Sequence, residues 1–310
     1  MRYVLAAAFA VGLAVNRAVP GDEVGKAAKS SRGELRMAVI QPGHPGSTEV
    51  ATGLMNRLTR YLTQKTSLRG LAAVYYNVPK DAVSAEEEAP FAFGLVSLGF
   101  YLKYREALEL TPLLEVVPPE RYYLLALKTT GGAQSRDLAG KAVVGGALYE
   151  MEFLRRVVFA DRAGVGDWKA VPTLRITRGL RKMGRGHYEA VVLTGREYRT
   201  LETRGKLKKL EKIAQSDYYP TALFVVFGKT DGASEAGRSA TGSASDVARD
   251  GSDPDSERVA AAKCVAGVLE KMESDPPGKE ILETMGCEGF RAVRTQWLEK
   301  LEKRYVGKKK

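Results

Sequence analysis

The sequence predicts an α/β fold built on mostly parallel sheets flanked by helices. Two observations carry this. Short apolar runs of strand length recur along the chain, and stretches with apolar residues at helical spacing fall between them. The chain is also long enough, at 310 residues with 44% apolar and 27% charged residues, for one large core or two medium lobes.

Leu35 to Ile40 (LRMAVI) fits a buried first strand. The turn Gln41 to Ser47 (QPGHPGS) ends at Ser47 or Thr48, either a good N-cap, and Val50, Leu54, Leu58, Tyr61 and Leu62 then recur at helical spacing. Leu71 to Tyr76 is a second strand. Pro79 to Glu88 is a short acidic helix, with Pro79 suited to its first turn, and Phe91 to Leu98 is a third strand. Arg121 to Thr129, Ala142 to Gly145, Ala190 to Leu193 and Ala222 to Phe227 complete the strands. Met151 to Phe159 and Glu197 to Lys212 read as helices. Residues 230–256 hold Gly, Ser, Ala and Asp with almost no large apolar side chain. They cannot offset their ordering entropy, and a disordered surface insert is expected there. Helices follow it: a stripe of Val259, Ala262, Ala266 and Leu269, then Lys279 to Met285 capped by Gly286, then Trp297, Leu298, Leu301 and Tyr305.

Residues 1–18 read as a secretory signal. Arg2 precedes the uncharged stretch Tyr3 to Val15, which is short of the roughly 20 residues a membrane span needs. Small residues suited to cleavage follow, around Ala14 or Ala18. An uncleaved anchor or a buried helix is the other reading. Residues 19–33 read as a linker. The expected location is periplasmic or otherwise exported. In that setting Cys264 and Cys287 permit one disulfide; two buried thiols are the alternative. With only His44 and His187 to help, they build no metal site.

The net charge of +11 suits an anionic ligand, a membrane surface or nucleic acid. It is spread along the chain, densest at Lys206, Lys208, Lys209 and the tail Lys308 to Lys310. No nucleic-acid-binding motif accompanies it, so no nucleic-acid partner is expected.

Ligands of open α/β sheets sit beyond the C-terminal ends of the strands. That rule selects Gln41, His44, Ser47 and Thr48 after the first strand, Ser97 and Tyr101 after the third, Gly145, Gly146 and Tyr149 after the run AVVG, and Thr194 after AVVL. Gly145-Gly146 before a helix would let backbone N–H groups approach an anion, or would only make the turn. Ser47 and Thr48 are caps or ligand contacts; Tyr101, Tyr149 and Tyr198 line a pocket or fill a core. No nucleophile elbow, phosphate loop or HExxH occurs, so no catalysis and no cofactor are expected.

Several stretches together resemble substrate-binding proteins of phosphonate and phosphate/phosphite ABC transporters. DPPGKEILETMGCEGF (Asp275 to Phe290) resembles their C-terminal signature. QSRDLAGKAVVGG (Gln134 to Gly146), GHYEAVVLTGREYRTL (Gly186 to Leu201) and Tyr218-Tyr219-Pro220 follow in the family's order. The resemblance implies the two-lobed fold of type 2 periplasmic binding proteins, with lobe 1 at 34–120 plus 222–306 and lobe 2 at 121–221. The crossing strands would be Arg121 to Thr129 and Ala222 to Phe227. It implies capture of a small, anionic ligand by hinge closure and delivery to a membrane permease or a sensor. The family's hydroxyl-rich turn reads Gly145-Gly146-Ala147-Leu148-Tyr149-Glu150 here, and Glu150 would repel an oxyanion. An enzyme on a related scaffold, or a degenerate envelope protein that binds a protein partner, are the alternatives.

Overall fold

The computed structural model describes residues 34–43, 48–68, 70–128, 138–160, 167–228 and 254–307. The expected signal, the linker, His44, Ser47 and the insert up to residue 253 lie outside the described residues. The last three residues expected in the insert belong to a helix that starts at Pro254.

In chain order the elements are β1 (Leu35–Ile40), α1 (Thr48–Thr66), β2 (Leu71–Tyr76), α2 (Pro79–Glu88), β3 (Phe93–Ser97), α3 (Leu98–Tyr104), β4 (Thr111–Val117), β5 (Tyr122–Leu127) and β6 (Ala142–Gly145). A tight turn, Ala147–Glu150, then enters α4 (Met151–Phe153), which widens over Leu154–Val158; there Phe159 N–H bonds the Leu154 carbonyl. Next come β7 (Lys169–Pro172), α5 (Ile176–Met183), β8 (Ala190–Thr194), α6 (Gly195–Thr203), β9 (Leu210–Gln215), β10 (Ala222–Val226), α7 (Pro254–Glu270), α8 (Pro276–Met285), β11 (Gly289–Ala292) and α9 (Thr295–Val306).

Two sheets result, in the orders β11-β4-β10-β3-β1-β2 and β7-β6-β8-β5-β9. The parallel pairs are β1 with β2 and β3, and β6 with β7 and β8; the strands beside them pair antiparallel. The chain leaves the first sheet after β4 and returns to it at β10. The two passages are bridged by reciprocal backbone hydrogen bonds of 2.8 Å between Glu120 and Tyr219.

Side chains alternate across each strand, so each sheet feeds two cores. Met37, Val39, Phe93, Leu95 and Phe224 pack under α1, α7 and α8. Ala38, Ile40, Val96 and Leu223 face the other way and join a core that continues into the second lobe through Leu124, Val143 and Val192. Helix α9 ties this shared core together. Tyr101 Oη and Arg105 Nη1 donate to Glu302 at 2.7 and 2.9 Å. On the other lobe, Arg156 Nη1 donates to the Tyr305 carbonyl at 2.9 Å, and Tyr305 Oη donates to Glu152 at 3.0 Å.

The expected helix Glu197 to Lys212 is instead α6, a turn and β9. Its helical period breaks at Gly205, where φ is +64°. Strand β4 carries Pro112, which disfavours a central strand in sequence reasoning; here β4 lies between β10 and β11. Cys264 and Cys287 are both free. Cys264 Sγ faces the Thr66 carbonyl and Cys287 Sγ the Leu282 carbonyl, so the permitted disulfide is not formed.

Candidate functional site

The C-terminal ends of β1 and β3 in the first lobe meet those of β6 and β8 in the second. Contact between the lobes begins with backbone. Gly43, at φ +77°, lies against Gly146: a Cβ on Gly146 would stand 2.7 Å from the Gly43 carbonyl oxygen, and a Cβ on Gly43 would overlap the Gly146 carbonyl. Only glycine permits both this φ and this approach.

Beside that contact, Glu150 reaches from the second lobe to the start of α3. The Ser97 hydroxyl donates to Glu150 Oε1 and also accepts the Phe100 N–H at 3.1 Å, capping α3. The fit is close: a Cβ on Gly99 would stand 2.7 Å from the Glu150 carboxyl carbon. Burial raises the Glu150 pKa from the usual carboxylate range to about 7. The Ser97 hydroxyl, the Phe100 N–H and Lys103 oppose that rise.

More carboxylates stand nearby. Glu197 Oε2 accepts the Thr194 N–H at 2.9 Å, and Thr194 Oγ1 accepts the Glu197 N–H at 3.3 Å, which is a capping box for α6. Burial raises the Glu197 pKa, and its hydrogen bonds to Thr194 lower it. Glu120 accepts from Arg199 Nη2 at 2.7 Å and from the Arg196 N–H at 3.0 Å. Burial pushes the pKa of the Tyr122 phenol up, and the charges of Glu150, Glu120 and Glu197 add to the rise. Arg196 closes the far edge of the cleft, donating from Nη1 to the Met285 carbonyl at 3.1 Å at the end of α8.

The structure brings some predicted residues together and disperses others. Ser97, Gly145, Gly146 and Gln41 gather where the lobes meet. The Gln41 carbonyl lies 3.5 Å from Tyr75 Oη. Gly145 serves packing: a side chain there would overlap the Val192 carbonyl. Thr194 is a cap. Tyr101 is buried in the shared core with its hydroxyl on Glu302, because α3 turns that face towards α9. Tyr149 is half-buried, and Tyr198 stacks on Tyr123 with centroids 4.1 Å apart. Thr48 opens α1, and His44 and Ser47 lie outside the described residues. Gly43, Arg196 and Glu197 lie inside the strand-end stretches Gln41 to Thr48 and Thr194 to Tyr198, where sequence reasoning singles out other residues. Of the three, only Glu197 had a local signal, the Thr-x-x-Glu spacing of a capping box.

That box yields a small prediction. Thr194→Ala should lower stability by about 1 kcal/mol, read by chemical denaturation, because the Glu197 N–H loses its acceptor.

Two α/β lobes, entered and left through bridged chain passages, form the architecture of a known group. The chain has the two-lobed fold of the type 2 periplasmic binding proteins. Solved structures agree. The protein XAC2383 from Xanthomonas citri, bound to ATP, superposes with a TM-score of 0.64 at 12% identity, over 88% of this chain and 97% of that one. PhnD1 from Prochlorococcus marinus, in complex with methylphosphonate, gives 0.57 at 12% identity over 88% and 97%. A binding protein component of an ABC phosphonate transporter from Pseudomonas aeruginosa gives 0.56 at 10% identity over 88% of each chain. No protein-family description and no curated protein sequence matches. Among the described residues no helix is long and apolar enough to cross a membrane, and no cluster of His, Cys, Asp and Glu could hold a metal ion.

Proposed function

We propose that this chain is an exported solute receptor, which captures a small ligand between its lobes for an ABC-type permease or a sensor and does no chemistry on it. The observation that carries this reading is the meeting of Gly43 and Gly146 at the strand ends, where open α/β sheets bind ligands and where a hinged pair of lobes would close. Proteins of this fold bind methylphosphonate and ATP, and another is an aliphatic sulphonate binding protein from Escherichia coli. An oxyanion ligand here would compete with Glu150 for the Ser97 hydroxyl and the Phe100 N–H.

A second reading is favoured by that same carboxylate and by the core shared through α9: a pair of lobes held shut, which presents its outer surface to a protein partner. Titration calorimetry and small-angle scattering separate the two. The panel is inorganic phosphate, methylphosphonate, alkanesulphonates, ATP and amino acids, tested on the native chain and on Glu150→Ala. Saturable binding with a change in radius of gyration is expected for a receptor. Silence across the panel for both proteins, with an unchanged radius, overturns that reading in favour of shut lobes.

A further inference from the structure

The net charge is not shared between the lobes. Residues 121–221 hold 20 Lys and Arg against 10 Asp and Glu, so the second lobe carries +10 of the chain's +11. The sequence suggested an even spread; the fold gathers it. Part of it lies on one layer. Helices α5 and α6 cover the face of the second sheet that packs Leu125, Val144, Val191 and Leu193, opposite the face that joins the shared core. Helix α5 turns Ile176, Leu180 and Met183 inward. Arg178, Arg181, Lys182 and, just beyond the helix, Arg185 are all exposed. Their spacings of three and four residues put like charges side by side, a mutual repulsion that folding alone does not ask for. The turn after α6 adds exposed Lys206, Lys208 and Lys209. None of these seven forms an ion pair among the described residues.

We propose that this layer docks the second lobe on an anionic phospholipid surface. Its chemistry favours a bilayer over other polyanions. The large apolar side chains exposed in the described residues are Tyr218 and Val306, neither on this layer, so it offers no anchor for a protein partner. It presents no exposed aromatic platform for nucleic-acid bases. What remains is diffuse attraction to lipid phosphates, which adds up over several Lys and Arg and fades with salt. The apolar stretch Tyr3 to Val15, read as an export signal, would bring the chain to a membrane in the first place.

The test is co-sedimentation of the full chain with vesicles of phosphatidylcholine alone and of phosphatidylcholine with phosphatidylglycerol. Binding should rise on adding phosphatidylglycerol, and the gain should vanish at high salt. Arg178→Glu/Arg181→Glu/Lys182→Glu should cut that gain by about tenfold or more. Lys263→Glu/Lys271→Glu/Lys279→Glu, an equal charge change on exposed positions of the first lobe, should leave most of it. Lys206→Gln/Lys208→Gln/Lys209→Gln, checked by melting temperature, reads the same layer should the α5 variant misfold. No gain from phosphatidylglycerol, equal losses from the two lobes' variants, or a DNA duplex that displaces the protein from vesicles overturns the proposal.

Discussion

Glu150→Gln is expected to stabilise the protein at pH 8 and to remove much of its stability loss between acid and neutral pH. The carboxyl titrates near 4.5 when exposed and near 7 in the closed cleft, mainly because burial disfavours its charge. The closed form therefore holds a proton that the open or unfolded chain has released. Below about pH 4.5 both forms are protonated and nothing is lost. As pH rises from 4.5 to 7 the closed form is progressively penalised, and above 7 the penalty is constant, at about 3 kcal/mol. Glutamine carries no charge, and its carbonyl oxygen still accepts from the Ser97 hydroxyl and the Phe100 N–H. Against the gain stands its NH2 group, for which an unmet hydrogen bond costs about 1 kcal/mol or more. Lys103 lowers the Glu150 pKa, while Tyr122 and Tyr305 sense its charge from the second lobe and α9. Glu86 acts in the same direction. Burial raises its pKa to about 7 against the Phe91 N–H, which lowers it, and burial raises that of Glu197 as well, so Glu150→Gln should reduce the pH slope, Glu86→Gln/Glu150→Gln should reduce it further, and the part due to Glu197 should remain. Denaturant melts at pH 5, 6, 7 and 8 read this directly. An unchanged slope in Glu150→Gln would mean that the carboxylate is solvated and the cleft open.

The sequence made the lobes legible and left their contact hidden, for a physical reason. Strands such as MAVI in β1 and AVVL in β8 are continuous apolar runs because both faces of their sheets are covered, and that composition is local information. Ser97 and Thr194 are expected at the ligand site from their place after a strand, and in the structure both cap helices. Short strands at sheet edges were harder. Lys169–Pro172 and Gly289–Ala292 have four residues each and expose half or more of them, so no period develops. The site is different in kind. The charge of Glu150 marks it as a misfit for an oxyanion. Its partner Ser97 lies 53 residues away on the other lobe, a pairing that no spacing rule reaches. Gly43 lies in a turn rich in Gly and Pro, where a glycine at positive φ is ordinary and only the approach of Gly146 distinguishes it.

That approach supports the second large effect: Gly146→Ala should hold the lobes apart while leaving each lobe folded. The backbone at Gly146 is right-handed, φ −67° and ψ −45°, so alanine meets no strain of its own. The new Cβ meets the Gly43 carbonyl oxygen at 2.7 Å and Glu197 Oε1 at 3.5 Å. The first is backbone of the other lobe and cannot rotate aside, so relief has to come from separation of the lobes. Overpacking of this kind costs about 1–3 kcal/mol, and here it falls on the closed arrangement. Separation also draws Glu150 from Ser97, so the Glu150 pKa should fall back towards 4.5 and the pH slope should shrink in a protein that still carries the carboxylate. Scattering should show a larger radius of gyration, and hydrogen exchange should quicken at Phe100 but not in β3 or β8. Gly53→Ala is the control. It sits exposed in α1 with nothing within 4 Å of a new Cβ, and should stabilise by about 0.5–1 kcal/mol with no change in radius. If Gly146→Ala keeps the native radius and pH slope, the two turns do not touch in solution and the cleft stands open at rest. If both change together, the glycine pair and the carboxylate belong to one closure, and any ligand must compete with it.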